Sequence, residues 1–173
     1  ACFWCNKKAL MKGNIGIYLA CSIVIACVFQ YMPMSQSLIG LKPNFLLLNT
    51  LGWIIFVPKR FGVGFSAIMG LIYDLISGSL IGINIISFTL VSAVPVYLIG
   101  WLSYFSLKQR CLFILVTILF FEAFNSFLYS FFDIPTNLVQ IFFVSITSVC
   151  VWPIFDICIR KIPINGPTQH SQF

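Results

Sequence analysis

The 173-residue chain carries only four acids, and their positions bound the chemistry open to it. Asp74 lies inside an apolar run, Gly70-Leu-Ile-Tyr-Asp74-Leu-Ile-Ser-Gly78, and Glu122 lies inside another, Leu119-Phe-Phe-Glu122-Ala-Phe-Asn125. A polar group in such surroundings costs several kcal/mol without a partner, so each marks a place where structure or function demands it. Asn49 and Asn125 fall at depths comparable to Asp74, which stands about 10 Å from the end of its run at 1.5 Å per residue. Glu122 and Asn125 are spaced i, i+3 and share a helix face. Asp74 also belongs to a series of small residues four apart, namely Gly62, Ser66, Gly70, Gly78 and Gly82. Small residues at that spacing let helix backbones approach closely, which points to a central, tightly packed third helix. Asp74, Asn49, Asn125 and Glu122, with Gly70 and Gly78 beside them, are therefore the candidate site. The alternatives are a network fixing helix register, a solute or proton site, and a docking place for another protein's transmembrane segment.

Catalysis is not written into these residues. The single His170 lies in a polar tail, which rules out a Ser-His-Asp set, and neither HExxH nor a P-loop occurs. Cys2 and Cys5 form a CxxC without a second pair of ligands to close a tetrahedral zinc site. Cys21, Cys27, Cys150 and Cys158 lie in apolar stretches, where a thiol behaves as a small hydrophobe. No enzyme activity, cofactor or metal is expected.

The elements that position these groups follow from composition. Hydrophobic residues make up 60% of the chain, charged ones 8%, and the mean hydropathy is +1.03. A soluble domain is about a quarter charged, so the expected solvent is lipid. The net charge of +6 belongs to topology and not to nucleic acid, because the cations stand between apolar runs and form no basic face with interleaved aromatics. Six such runs predict an all-α bundle of transmembrane helices over 14–32, 43–57, 61–80, 83–105, 111–132 and 137–159. They form one domain over 14–160, with tails over 1–13 and 161–173. The first run is too long for a signal peptide, and no small-x-small cleavage site follows it. The break between the third and fourth runs rests on Ser77, Gly78, Gly82 and Asn84, since an unbroken helix there would far exceed a bilayer.

Short connections force antiparallel neighbours. With both termini in the cytoplasm, nine cations lie inside (Lys7, Lys8, Lys12, Lys59, Arg60, Lys108, Arg110, Arg160 and Lys161) and only Lys42 lies outside. Trp53, Trp101, Tyr104 and Trp152 then fall near the inner interface, and Tyr31 and Tyr129 near the outer one. Pro95 should kink the fourth helix and free the Val91 carbonyl, with Ser92 placed to satisfy it. Asp156 and Arg160 are spaced for an i, i+4 pair.

Several stretches together resemble the rod-shape-determining MreD family of bacteria. They are Lys42-Pro-Asn-Phe-Leu-Leu-Leu48, then Gly64-Phe65, Gly70-Leu-Ile-Tyr-Asp74, Ser77-Gly-Ser-Leu-Ile-Gly82, and Val151-Trp-Pro153. Their order and spacing carry the resemblance over nearly the whole chain, most specifically from Lys42 to Gly82. It implies a non-catalytic scaffold subunit of the bacterial inner membrane, in the machinery for cell elongation and peptidoglycan synthesis. The implied partner is a single-span MreC-like protein and, through it, actin-like MreB and the peptidoglycan synthases. It also implies a fold similar to the six-helix substrate-binding subunits of vitamin transporters. Asn44 stands where the family often has an acid, which leaves any charge-dependent role there in doubt. A solute-binding subunit of an energy-coupled vitamin transporter stays open as the alternative. Against it, that class has an Ala-x-x-x-Ala pattern on its first helix, whereas Ala20 and Ala26 here are six apart. A small ion or proton channel around Asp74 and Glu122 is the third possibility.

Overall fold

The computed structural model describes residues 2–32, 42–58, 60–78, 80–102, 104–133 and 138–160, with side chains from Ile15 onward except those of Ile99, Leu107, Leu138 and Arg160. Among them the chain is entirely helical: α1 (Cys2–Tyr31), α2 (Phe45–Phe56), α3 (Val63–Ser77), α4 (Ile83–Tyr97), α5 (Ile99–Leu102), α6 (Leu107–Ser130) and α7 (Leu138–Arg160). Two stretches are long and apolar enough to cross a bilayer by themselves, Lys108–Ser130 and Val139–Ile159. The apolar helices Ile15–Tyr31, Phe45–Phe56, Val63–Ser77 and Ile83–Tyr97 are shorter.

Local sequence explains where the helices start and stop. Asn44 caps α2, its side chain accepting from Leu47 N at 3.1 Å. Ser106 and Gln109 form a capping box at the head of α6, with Ser106 N donating to Gln109 Oε1 at 2.8 Å. Gly78 ends α3 in the left-handed region at φ 63°, and Gly82 precedes α4 at φ 112°, conformations that a side chain would oppose. The turn between α3 and α4 therefore falls on the Ser77–Asn84 stretch. Pro95 lies in the last turn of α4, and Leu98 interrupts the helix before α5. The apolar run over 83–105 is thus two helical pieces that meet at Leu98, whose N still donates to Val94 O at 3.0 Å. Ser92 does not turn to the Val91 carbonyl. Its hydroxyl donates to Thr89 O at 3.0 Å and meets the Ser66 hydroxyl of α3.

The centre of the bundle is α2, not α3. Every residue from Leu46 to Ile54 is buried, whereas α3 buries only Ser66, Met69, Gly70 and Asp74. Burial of the polar Asn49 and Thr50 together with the apolar residues around them shows that protein, and not lipid, surrounds α2. Being enclosed, a helix of roughly 18 Å need not match the bilayer thickness. The small-residue series ends as a helix face at Asp74, since Gly78 and Gly82 lie in the turn.

Contacts fix the directions. Asn44 N donates to Ser148 Oγ at 3.3 Å, and a Cβ on Gly52 would meet Ile159 Cδ1 at 2.5 Å, so α2 and α7 run parallel. Ser66 of α3 meets Ser92 of α4 while Asp74 meets Asn84, so these two are antiparallel. Leu46, Leu47, Leu48, Met69, Phe88, Ile118, Phe121 and Trp152 form the shared core. Large apolar side chains cover the outside, among them Val28 at 62% exposure, Leu75 at 65% and Ile154 at 62%. Asp74 and Asp156, at 1% each, are inside. A surface this apolar over a polar interior suits lipid and not water.

Trp53 and Trp152 are fully buried, so neither belongs to an interfacial belt. Trp53 Nε1 donates to Ser22 Oγ of α1 at 2.8 Å, which ties α1 to the central helix. Trp101 and Tyr104 are largely exposed, as ring side chains at an interface would be.

Candidate functional site

Asp74 is held where α3 ends and α4 begins. Its Oδ2 accepts from Gly82 N at 2.8 Å, and its Oδ1 accepts from Asn84 Nδ2 at 2.7 Å and Asn84 N at 3.3 Å. The first amides of a helix lack intrahelical partners and carry its positive dipole end. Asp74 thus caps α4 from the neighbouring helix, a carboxylate on a helix amino terminus. The network continues inward. Asn125 Nδ2 of α6 donates to Asn84 Oδ1 at 3.2 Å, and Ser87 Oγ of α4 donates to Asn125 Oδ1 at 2.8 Å. Asp74, Asn84, Asn125 and Ser87 are all buried. Three helices are tied at one level.

Gly70 makes this approach possible. A Cβ there would lie 2.7 Å from Asn84 O and 2.8 Å from Ile85 Cα, so only glycine lets α3 lie against the α4 backbone. The face that carries Gly70 is therefore occupied by α4. Gly78 has open space around it and serves the turn through its positive φ.

Two predicted site residues stand apart. Asn49 of α2 is buried, and its Nδ2 has no hydrogen-bond partner among the described residues. Glu122 of α6 is partly exposed and lies within electrostatic reach of Tyr73, without a hydrogen bond to the network. Asn84 and Ser87 join the network without having been singled out beforehand. Asn84 is the second residue of α4, and the sequence marks it as part of the turn without showing the carboxylate it meets.

An ionic contact lies at the other end of the bundle. Arg110 Nη1 of α6 stands 3.7 Å from Asp156 Oδ1 of α7, and its guanidinium lies over the Phe56 ring of α2 at 5.9 Å. Asp156 therefore meets Arg110; the side chain of Arg160, the expected partner, is outside the described residues. Most hydroxyls are satisfied within their own helices, as with Thr50 on Leu46 O, Thr89 on Ile85 O and Thr117 on Phe113 O. Such hydroxyls need no partner in lipid and mark no site.

Comparison with known proteins gives this arrangement its place. A family profile described as rod shape-determining protein MreD matches residues 12–162. The chain is similar to the rod shape-determining protein MreD of Haemophilus influenzae, 35% identical over 77 residues, which cover 44% of this chain and 45% of that protein. The chain thus aligns with less than half the length of that curated relative. No solved structure matches the chain. With the profile covering almost all of the helical bundle, this membrane protein belongs to the MreD family.

Proposed function

We propose that the chain is a non-catalytic scaffold subunit of the bacterial inner membrane that serves rod-shape determination by binding a single-span, MreC-like partner. Through that partner it would be linked to MreB and the peptidoglycan synthases. The observation that carries the reading is the family match over residues 12–162. The chemistry of the site agrees with it. Asp74 is engaged by three donors of its own hairpin, which suits a structural clasp better than a reacting group. In the membrane we assign six spans, taking α4 and α5 together, with both termini in the cytoplasm. The positions of the ten cations support that orientation. Removing the protein from a rod-shaped host tests the reading. Cells should round up and recover when the wild-type chain is restored; persistent rods would refute it.

One observation favours the second reading, a solute-binding subunit of a vitamin transporter. A half-open recess of about 340 Å³ lies at the ends of α1, α2 and α3, with Gln30, Leu46 and Tyr73 in it and the exposed Tyr31, Leu75 and Gly78 at its rim. Its size is within the range of small-molecule sites. Mass spectrometry of the purified protein decides: a stoichiometric vitamin supports this reading, and none retires it.

A further inference from the structure

The recess at the ends of α1, α2 and α3 has a chemistry that the scaffold reading does not use. Gln30 and Tyr31 are the last two residues of α1, Leu46 is the second of α2, and Tyr73, Ile76 and Ser77 stand in the closing turns of α3. The recess therefore lies where apolar helices end, the level at which lipid headgroups meet water. Polar groups gather there. Gln30 Oε1 accepts from Phe45 N at 3.0 Å, the Tyr73 hydroxyl lies beside the Gln30 side chain, and Ser77 Oγ donates to Tyr73 O at 2.8 Å.

Charges of opposite sign frame the mouth. Lys42 Nζ donates to Met32 O at 3.0 Å, next to Tyr31 of the rim. No carboxylate among the described residues pairs with it, and an ammonium has two further donors to give. Lys42 is also the cation that the charge pattern leaves on the outer side, against the bias that orients the chain. Opposite it, α1 and α3 both end at the recess, and helix carboxyl ends carry partial negative charge. A bare anion would be drawn to Lys42 and repelled by those ends. A group with an anion and a cation a few bonds apart suits both.

Two apolar ribs lead away from the recess. Val24, Val28 and Tyr31 follow one face of α1, and Ile68, Leu71 and Leu75 follow one face of α3. All six side chains are exposed, and each rib ends on a residue of the recess. We infer that this recess holds the headgroup of a zwitterionic phospholipid, its phosphate on Lys42, its ammonium toward the carboxyl ends of α1 and α3, and its acyl chains along the two ribs. Charge complementarity at the mouth and the apolar path from it select this occupant together. A water-soluble solute would leave both ribs unused, and an anionic lipid would leave the carboxyl ends unmatched. Such a site needs no protein partner, so it stands apart from the scaffold reading.

The test uses the full chain, extracted in mild detergent and stripped of lipid. It is then given phosphatidylethanolamine, phosphatidylglycerol or inorganic phosphate, and retained molecules are counted by native mass spectrometry. Phosphatidylethanolamine should stay bound under activation that removes phosphatidylglycerol, and phosphate alone should not be retained. Lys42→Ala should lower this retention about ten-fold, the effect of one charge-assisted hydrogen bond. Lys108→Ala removes an exposed cation elsewhere and should leave it unchanged. Ser77→Trp fills the recess and should abolish it, with the melting temperature in the absence of lipid showing that the variant is folded. If Ser77→Trp does not fold, the comparison of Lys42→Ala with Lys108→Ala carries the test. Phosphatidylglycerol or phosphate held as firmly, retention unchanged in Lys42→Ala, or a stoichiometric vitamin in place of the lipid overturns the inference. None of these outcomes touches the scaffold reading, which fails only if rods persist without the protein.

Discussion

Asp74 and Asn84 are joined across the α3–α4 hairpin at 2.7 Å, side chain to side chain, while the same carboxylate holds two backbone amides of the α4 start. One residue thereby closes the turn, caps a helix and passes a hydrogen-bonded chain on to Asn125 of α6. Asp74→Ala should destabilise the protein by about 2–3 kcal/mol, because buried donors lose their acceptor. Asp74→Asn keeps one acceptor oxygen and should cost about half of that. Thermal unfolding of the detergent-solubilised variants, followed by the loss of monodisperse protein, measures both.

Glycine substitutions separate close approach from mere smallness. Gly70→Ala drives a Cβ against the backbone of Asn84 and Ile85 and should lower stability by about 1–3 kcal/mol. Gly64→Ala, also in α3, meets nothing within 4 Å and should leave the melting temperature unchanged or slightly raised. Equal losses at the two positions would contradict the tight α3–α4 contact.

Asn49 offers the opposite expectation to Asp74. Its Nδ2 is buried without a partner, so Asn49→Leu removes an unsatisfied group and should be neutral or stabilising by about 1 kcal/mol. Asn84→Leu, at the centre of the network, should destabilise by about 2 kcal/mol or more. The same unfolding assay ranks the pair.

At the far end, Asp156→Ala leaves Arg110 near the Phe56 ring without its carboxylate. The loss should approach about 3 kcal/mol, and adding Arg110→Met to Asp156→Ala should recover part of it, with Arg110→Met alone completing the cycle. Additive losses in the double variant would show that the two residues do not act as a pair.

Much of this molecule is legible in the sequence, for physical reasons that differ by element. The apolar runs and the α3–α4 break can be read because backbone rules are local: Gly78 and Gly82 allow positive φ at no steric cost. The like depths of Asp74 and Asn125 follow from helical rise alone. The link between them does not, because Asn84 acts through a helix start whose tertiary neighbour must be known first. Counting small residues favours α3 as the central helix, but smallness reports how close two helices come, not how many surround one. The polar pair Asn49-Thr50 inside the apolar run of α2 is the better guide, since both need protein around them. Trp53 and Trp152 misplace themselves in the same way, since a ring near a helix end suits a core as well as an interface.

The most direct measurement is recovery of the single-span MreC-like partner with the full-length chain after extraction in mild detergent, quantified against a polytopic protein of similar abundance. A scaffold predicts a stoichiometric complex that survives gel filtration and keeps forming with Asn49→Leu. Extraction of the chain alone, monodisperse and folded, with the partner in separate fractions, would contradict the account.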